Sequence, residues 1–473
     1  MMILMLLLFW ACQDPPPNNE PPLTDSAQPD DPHQDTANTD EEPPRAPIPL
    51  PPLTDAPDLD PDEDVVQVEL TAAPKTHRFV DVDGTEHVVE GYAYNGLTPG
   101  PTIRAKVGDQ VIIDVDNNLD QPTTIHWHGV GVPFEMDGVA WMGAPIAAGA
   151  SFQYAFTVQR PGTFWYHPHF NTNRQVSGGL YGVLIVTDPE EPAPDLDQIL
   201  VFDDWHFEGL DDHDHLAAEG TWTVNGQIQP FWDLDGGQIV RARVLNASNL
   251  GYLDLRLPEI RLLGGDQGLN ARLTAPDNVL MAPGDRIELE VRPAQTDFEW
   301  INAPYVHQGG AAWGPEASLM RVHVDAPDDA APGLSWPFSG LRSTEDPGRT
   351  DITYVFSGSN ESGVWMLNGE VFPDVTIEEL SLGDEAILEI RNLSPTEHPF
   401  HMHGTRIEIL SVNGIAETHQ RWEDTINVPT YGTVRVRMIA DNPGDWMTHC
   451  HILPHADGGM MTVLRVHESP EGE

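Results

Sequence analysis

Ile103-Arg104-Ala105-Lys106-Val107-Gly108-Asp109 runs into Val111-Ile112-Ile113-Asp114-Val115 and stops at Asn117-Asn118. The stretch reads as a turn, a strand of alternating polarity, and an Asn at the strand end. The same phrase returns twice. Gly236-Gly237-Gln238 leads into Ile239-Val240-Arg241-Ala242-Arg243-Val244 and then Asn246; Leu382-Gly383-Asp384 leads into Ala386-Ile387-Leu388-Glu389-Ile390 and then Asn392. Recurrence at intervals of about 130 to 150 residues predicts three copies of one domain, not a solenoid of short repeats. Frequent Gly (41) and Pro (44) favour short strands joined by turns, so the chain is predicted to be all-β, each copy a β-sandwich or barrel.

Working outward, boundaries fall near Asp188 and in the loop-rich stretch Asp325 to Asp351, which gives domains over 65–188, 189–327 and 352–470. Ordered sequence is expected to begin at Val65-Val66-Gln67-Val68-Glu69-Leu70. Before it, residues 13–64 hold 15 prolines and 15 acids against the single Arg45, a composition that predicts an extended, disordered tether. Residues 1–12 read as a signal: the apolar run Met1 to Ala11 is too short to span a membrane, and Ala11-Cys12-Gln13-Asp14 resembles a bacterial lipoprotein signal whose Cys becomes the lipidated first residue. The expected location is therefore exported, periplasmic or at the cell surface, with a membrane tether through Cys12. A formal charge of −52 excludes nucleic acid as a partner and suits a protein that draws cations towards itself.

Four clusters carry the chemistry: His126-Trp127-His128-Gly129, His167-Pro168-His169, His398-Pro399-Phe400-His401-Met402-His403-Gly404, and His449-Cys450-His451-Ile452-Leu453-Pro454-His455 followed by Met460. One His-x-His alone is commonly a satisfied core pair. Four clusters confined to the first and third repeats point to metal. Side chains on a strand alternate faces, so His449 and His451 share one side while Cys450 points to the other. His401 and His403 likewise share a face, with His398 opposite. His398, Cys450 and His455 then form a His₂Cys set with Met460 placed as a weak axial ligand, the pattern of blue copper. Eight histidines remain (His126, His128, His167, His169, His401, His403, His449 and His451), a number suited to three coppers and not to a structural zinc, which four ligands close. Cys450 has a covalent route to this second group through both of its neighbours, an arrangement for one-electron oxidations coupled to four-electron reduction of O₂ to water.

These motifs resemble those of the multicopper oxidases, the family of laccases, bacterial cuprous oxidases and spore-coat oxidases, over roughly Val65 to His467. The resemblance implies three consecutive cupredoxin-like Greek-key domains and four coppers: one type 1, one type 2 and two type 3. It assigns His398, Cys450, His455 and axial Met460 to type 1, and His126 and His401 to type 2. His128, His167, His169, His403, His449 and His451 fall to the type 3 pair. Met136-Asp137-Gly138 and Trp422-Glu423-Asp424-Thr425 also match, and Asp137 corresponds to an acid by the type 2 copper that relays protons or hydrogen bonds. Many bacterial members carry a Glu after the last type 1 His; here that position is Ala456, with Asp457 beside it as the candidate proton donor.

The expected partners are O₂ and a small-molecule or metal-ion reductant. The leading reading is a laccase-like oxidase of phenols, aromatic amines or low-valent metal ions. The alternatives are a dedicated cuprous, ferrous or manganous oxidase in metal tolerance and, from another class, a non-catalytic copper-binding protein on the same fold. No Met-rich insert is present, and Glu397, adjacent to His398, is offset so that it points away from that ligand's face. Glu423 and Asp424 are candidates to orient a substrate near the type 1 site. The run His206 to His215 is a weaker candidate for a labile metal, and the second repeat is expected to position the other two. Cys450→Ser is expected to abolish the intense blue absorption of the copper-loaded protein; survival of the band would remove Cys450 from the type 1 set.

Overall fold

The computed structural model describes residues 48–468, apart from 142, 208–219, 293–296, 307–311, 314–315, 327–332, 341–344 and 360–361. The readings made for residues 1–47 lie outside the described residues. Among the described residues strands dominate, with two short α-helices at Thr172–Ser177 and Leu453–Asp457 and one 3-10 turn at Phe134–Met136.

The three quoted phrases fold alike. Gln110–Asn117, Val240–Asn246 and Glu385–Asn392 are central strands, each parallel to the first strand of its repeat (Val65–Val80, Leu196–Trp205 and Ile352–Ser359). Each is antiparallel on its other side to Ser151–Thr157, Arg286–Val291 and Thr433–Ile439 respectively. The terminal Asn repeats its task as well. Asn117 Nδ2 donates to the carbonyls of Gln121 and Ile146, at 2.9 and 2.8 Å. Asn246 Nδ2 donates to Gly251 and Met281, and Asn392 Nδ2 to Thr396 and Val428. A buried amide that ties its own loop back to the sheet is satisfied only by that loop geometry. In the first and third repeats this loop delivers the chain to His126 and His398.

Each repeat packs two sheets face to face. In the first, a sheet containing Val65–Val80 and Gln110–Asn117 lies against one ordered Ile103–Lys106, Gly182–Thr187, Gly162–His167, His126–His128. In the third, a sheet containing Glu385–Asn392 lies against one ordered Glu378–Ser381, Met461–His467, Gly444–Cys450, His398–Met402, Thr425–Val428. Separate cores fill them: Val68, Val111, Ile113 and Trp127 in the first; Leu200, Val244, Leu289 and Trp300 in the second; Phe356, Leu388, Phe400 and Trp446 in the third. The central strand of the second repeat departs from alternation, because every residue of Val240–Asn246 is buried. Its outward residues Arg241 and Arg243 are covered and pair with Glu288, whose Oε1 also accepts from Thr163 of the first repeat.

One expectation is corrected. Residues 48–64 were read as the end of a disordered tether, yet they run as an ordered strap over both of the first two repeats. Leu50 N donates to Phe231 O and Phe231 N to Ile48 O, both at 2.7 Å. Thr102 pairs in the same way with Thr54 and Ala56, and Leu50 and Leu53 pack against core clusters. Composition misleads here because proline and acid leave the apolar Leu50 and Leu53 free to dock, and prolines suit an extended strap that pairs at isolated bridges. Among the described residues no helix is long and apolar enough to cross a membrane.

His77 marks the junction of the first two repeats. Its Nε2 lies 3.0 and 3.1 Å from the carbonyls of Tyr92 and Gly178, and its ring sits 4.7 Å from that of Trp205. Burial, with Lys75 nearby, lowers its pKa from 6.5 to about 4. The unfolded chain therefore takes up this proton first: the contribution is fully present above about pH 6.5 and is lost as pH falls towards 4, at most about 3 kcal/mol. Denaturant titrations at pH 7.5 and pH 5 should show a smaller loss in His77→Gln than in the parent, and equal losses would refute the linkage. Removing residues 48–56 should lower the melting temperature by several degrees, since about 1–3 kcal/mol of packing and hydrogen bonding goes with them.

Candidate metal centre

Strand register brings the four clusters together. His126 lies opposite His167, and His401 lies opposite His449 with Phe400 opposite Cys450. Ligating atoms meet in three groups on one side of the strand Gly444–Cys450: His128, His167 and His451; His169, His403 and His449; and His126 with His401 and His128. Within each group the atoms lie within 4.8 Å of one another. Nε2 of His449 is 3.1 Å from that of His403 and 3.3 Å from that of His169, and Nε2 of His126 is 3.5 Å from that of His401. All eight residues are buried or nearly so.

The opposite side of the same strand holds the other group. Cys450 Sγ is 3.4 Å from His398 Nδ1 and 3.7 Å from His455 Nδ1, and the two nitrogens are 3.2 Å apart. Ser394 Oγ lies 2.7 Å from His398 Nε2, and Trp365 stacks on His455 with centroids 3.8 Å apart, so both rings are held. Met460 is fully buried in the same cluster as Cys450, and its carbonyl accepts from Cys450 N at 3.1 Å.

Most of the eight imidazoles have one nitrogen tied to oxygen, which leaves the other for the centre. His126 and His401 donate Nδ1–H to the carbonyls of Asp137 and Asp424, both at 3.0 Å. His167 and His449 use the carbonyls of Pro168 and Cys450. His403 Nδ1 meets Asp137 Oδ2 at 2.8 Å, while His128 is reversed, its Nε2 meeting Asp424 Oδ1 at 2.9 Å. Such outer partners fix the tautomer and aim of a metal-binding ring. His128 Nδ1, His167 Nε2 and both nitrogens of His451 are buried with no hydrogen-bond partner in the protein. Burial first, and neighbouring imidazoles second, hold His128, His167, His169, His403 and His451 well below the ordinary histidine range, and His449 at about 3. Neutral rings with inward lone pairs are what copper ligation needs. Burial pushes the Cys450 thiol up, so its thiolate requires a cation at that place. The donor sets therefore fit copper.

The predicted acids separate. Asp137 is buried between His126 and His403. Asp457 is exposed at the end of its helix and lines a cleft of about 190 Å³ whose walls include His169, His449, Trp141 and Phe372; Ala456 is buried. Glu397 does turn aside: Tyr305 Oη donates to its Oε1 at 2.7 Å and Asn427 Nδ2 donates to Oε2. Glu423 and Asp424 do not face the Cys450 group. Glu423 accepts from Asp266 N, and Asp424 reaches His128, Gln267 and Arg286 on the eight-histidine side. They lie where the chain passes from strand Trp422–Glu423 to strand Thr425–Val428 and meet the second repeat there, a contribution the local motif could not reveal. Arg286, Asp266 and Gln267 went unnoticed in the sequence because nothing local distinguishes them. Of the run His206 to His215, His206 Nε2 lies 3.6 Å from Asp204 Oδ2 and residues 208–215 lie outside the described residues.

Comparison with known proteins agrees. The sequence profile of the multicopper oxidases matches residues 78–191 and 344–470, together just over half of the chain. Multicopper oxidase MmcO of Mycobacterium tuberculosis is 27% identical over 84% of this chain and 86% of its own length. A multicopper oxidase of Campylobacter jejuni described as a metallo-oxidase superposes with a TM-score of 0.78 at 27% identity, over 90% of this chain and 96% of that one. A laccase-like multicopper oxidase from Ochrobactrum sp., active towards lignin model compounds, gives 0.76 at 28% identity, over 89% and 100%. The chain belongs to the multicopper oxidase family, copper-dependent oxidoreductases that use O₂.

Proposed function

We propose that His398, Cys450 and His455, with Met460 axial, hold type 1 copper, and that the eight remaining histidines hold the trinuclear cluster. His126 and His401 take the type 2 position. His128, His167 and His451 take one type 3 position, and His169, His403 and His449 the other. The observation that carries this reading is the convergence of those ligating atoms into compact groups on opposite sides of one strand. Copper bound there supplies one-electron oxidation of the reductant and four-electron reduction of O₂ to water. Cys450 is joined covalently to His449 and His451, so the chain itself links the two ligand groups. Asp137 orients His403 and His126, and Asp457 delivers protons along the cleft that ends at His169 and His449. The ligand-bearing repeats span 65–188 and 352–470, and the second repeat, 189–327, positions them. Export and a lipid tether at Cys12 complete the reading.

The reductant favoured is an aromatic molecule. Both oxygens of Glu397, the residue before His398, accept from Tyr305 and Asn427, so this acid is engaged by protein donors and not by a metal ion. Trp141, 44% exposed, meets Phe372 edge to face at 5.2 Å, and Phe372 N bonds Gly459 O in the loop between His455 and Met460. This is a surface on which a ring can stack. A metal-ion reductant is the second reading, favoured by the charge of −52, which concentrates cations at the surface. O₂ uptake by the copper-loaded protein should be faster with a phenol than with Cu(I), and Trp141→Ala should lower kcat/KM for the phenol about 10-fold, the cost of about 1.4 kcal/mol of ring contact. The reverse preference, with no effect at Trp141, would establish the metal-ion reading instead.

A further inference from the structure

Arg286 comes from the second repeat, which supplies none of the twelve ligands proposed above, yet its side chain is fully buried against the eight-histidine centre. A guanidinium has five N–H groups, and here five contacts use them. Nε donates to Thr163 O at 3.0 Å, Nη1 to Gly284 O at 3.1 Å and Nη2 to Asp266 O at 3.1 Å. The remaining two form a fork on Asp424, Nη1 to Oδ1 at 2.8 Å and Nη2 to Oδ2 at 2.5 Å. Arg286 thus touches all three repeats.

Asp424 makes opposite choices at two neighbouring rings. Its Oδ1 accepts from His128 Nε2, which leaves His128 Nδ1 buried with no hydrogen-bond partner. Its backbone carbonyl accepts from His401 Nδ1, which leaves His401 Nε2 facing His126. One residue therefore selects Nδ1 of His128 and Nε2 of His401. The choice at His128 requires one orientation of the carboxylate, which the fork from Arg286 fixes together with Gln267 Nε2 on Oδ2 and Thr425 Oγ1 on Oδ1. The backbone makes room for this pair. A Cβ on Gly129, directly after His128 and at φ +83°, would come within 2.4 Å of Asp424 Oδ2 and 2.5 Å of Arg286 Nη2.

We infer that Arg286 is a positioning residue for the trinuclear cluster: by clamping the Asp424 carboxylate it determines which ring nitrogen His128 presents to copper. The inference rests on the ligand assignment proposed above and adds a role for a repeat outside that ligand set.

Arg286→Lys and Gly129→Ala test it, since a lysine keeps the charge without the fork and the alanine disturbs the same pair sterically. Parent and variants are loaded with copper and compared by copper per chain, blue absorption, near-ultraviolet absorption of the coupled pair, and electron paramagnetic resonance of type 2 copper. Both variants should keep the full blue band, which reports on ligands of the third repeat. They should lose copper from the cluster, weaken the near-ultraviolet band, alter the type 2 spectrum, and fall about 10–100-fold in O₂ uptake. Variants with the parent's four coppers and unchanged spectra overturn the inference. So does a loss of the blue band in step with the cluster signals, because that makes Arg286 a general structural residue. A parent chain that binds fewer than four coppers would overturn the ligand assignment itself.

Discussion

Alternation of side chains along the strand Gly444–Cys450 is the constraint on which the rest of the structure depends. His449 and Cys450 are neighbours, so they must face opposite ways. The chain needs a separate set of partners on each side, and the partner strand His398–Met402 supplies both by the same rule. Phe400 pairs with Cys450 and His401 with His449, so His401 joins His449 while His398 reaches Cys450 from the other side. One hydrogen-bonded register thus determines two sites at once. A slip of one residue would exchange their faces and disperse both.

The same register imposes a cost. Imidazoles packed together repel one another when charged, and burial holds His128, His167, His169, His403 and His451 well below the ordinary histidine range. The fold meets this cost with oxygens that are already in place. Backbone carbonyls of Asp137, Pro168, Asp424 and Cys450 accept from ring N–H groups. His128 and His403 rest chiefly on the carboxylates of Asp424 and Asp137, the latter also within 3.2 Å of His126 Nδ1, and each of those acids needs its own support. For Asp424 burial alone would raise the pKa, but Arg286 and His128 hold it well below the usual carboxylate range. Asp266, a little farther from the rings, is raised by burial to about 7 even with Arg286 against it.

Much of this could be read in the sequence because it is local. The repeated phrase ending in Asn117, Asn246 and Asn392 marks three equivalent strands, since a buried Asn can satisfy its amide only by folding its own loop back. Parity within His449-Cys450-His451 separates the two ligand groups without any knowledge of the sheets. What depends on distant partners was not legible. Trp422-Glu423-Asp424-Thr425 stands out as a motif, but its acids answer to Arg286 and Asp266, 138 and 157 residues away. Residues 48–64 were hidden for the opposite reason: their composition is that of a tether, and two leucines with a few backbone bonds suffice to dock them.

The placement of positive charge points the same way. The chain has 23 Lys and Arg against 75 Asp and Glu, so cations are scarce, and exposed acids have few of them as neighbours. Yet Arg241, Arg243 and Arg286 are buried where the second repeat meets the first, each paired with an acid of the second or third. Buried pairs of this kind add little net stability over apolar packing, but leaving one partner alone costs about 3–5 kcal/mol. Arg286–Asp424 joins the second repeat directly to the third, and Arg241 and Arg243, paired with Glu288 of their own repeat, meet the first where Thr163 donates to Glu288, so repeats docked out of place leave buried polar groups unpaired. The centre drawn from the first and third repeats needs ångström-level agreement between elements more than 200 residues apart. The buried contacts by which the second repeat reaches both of the others, Arg286 to Asp424 and Thr163 to Glu288, act against such misdocking.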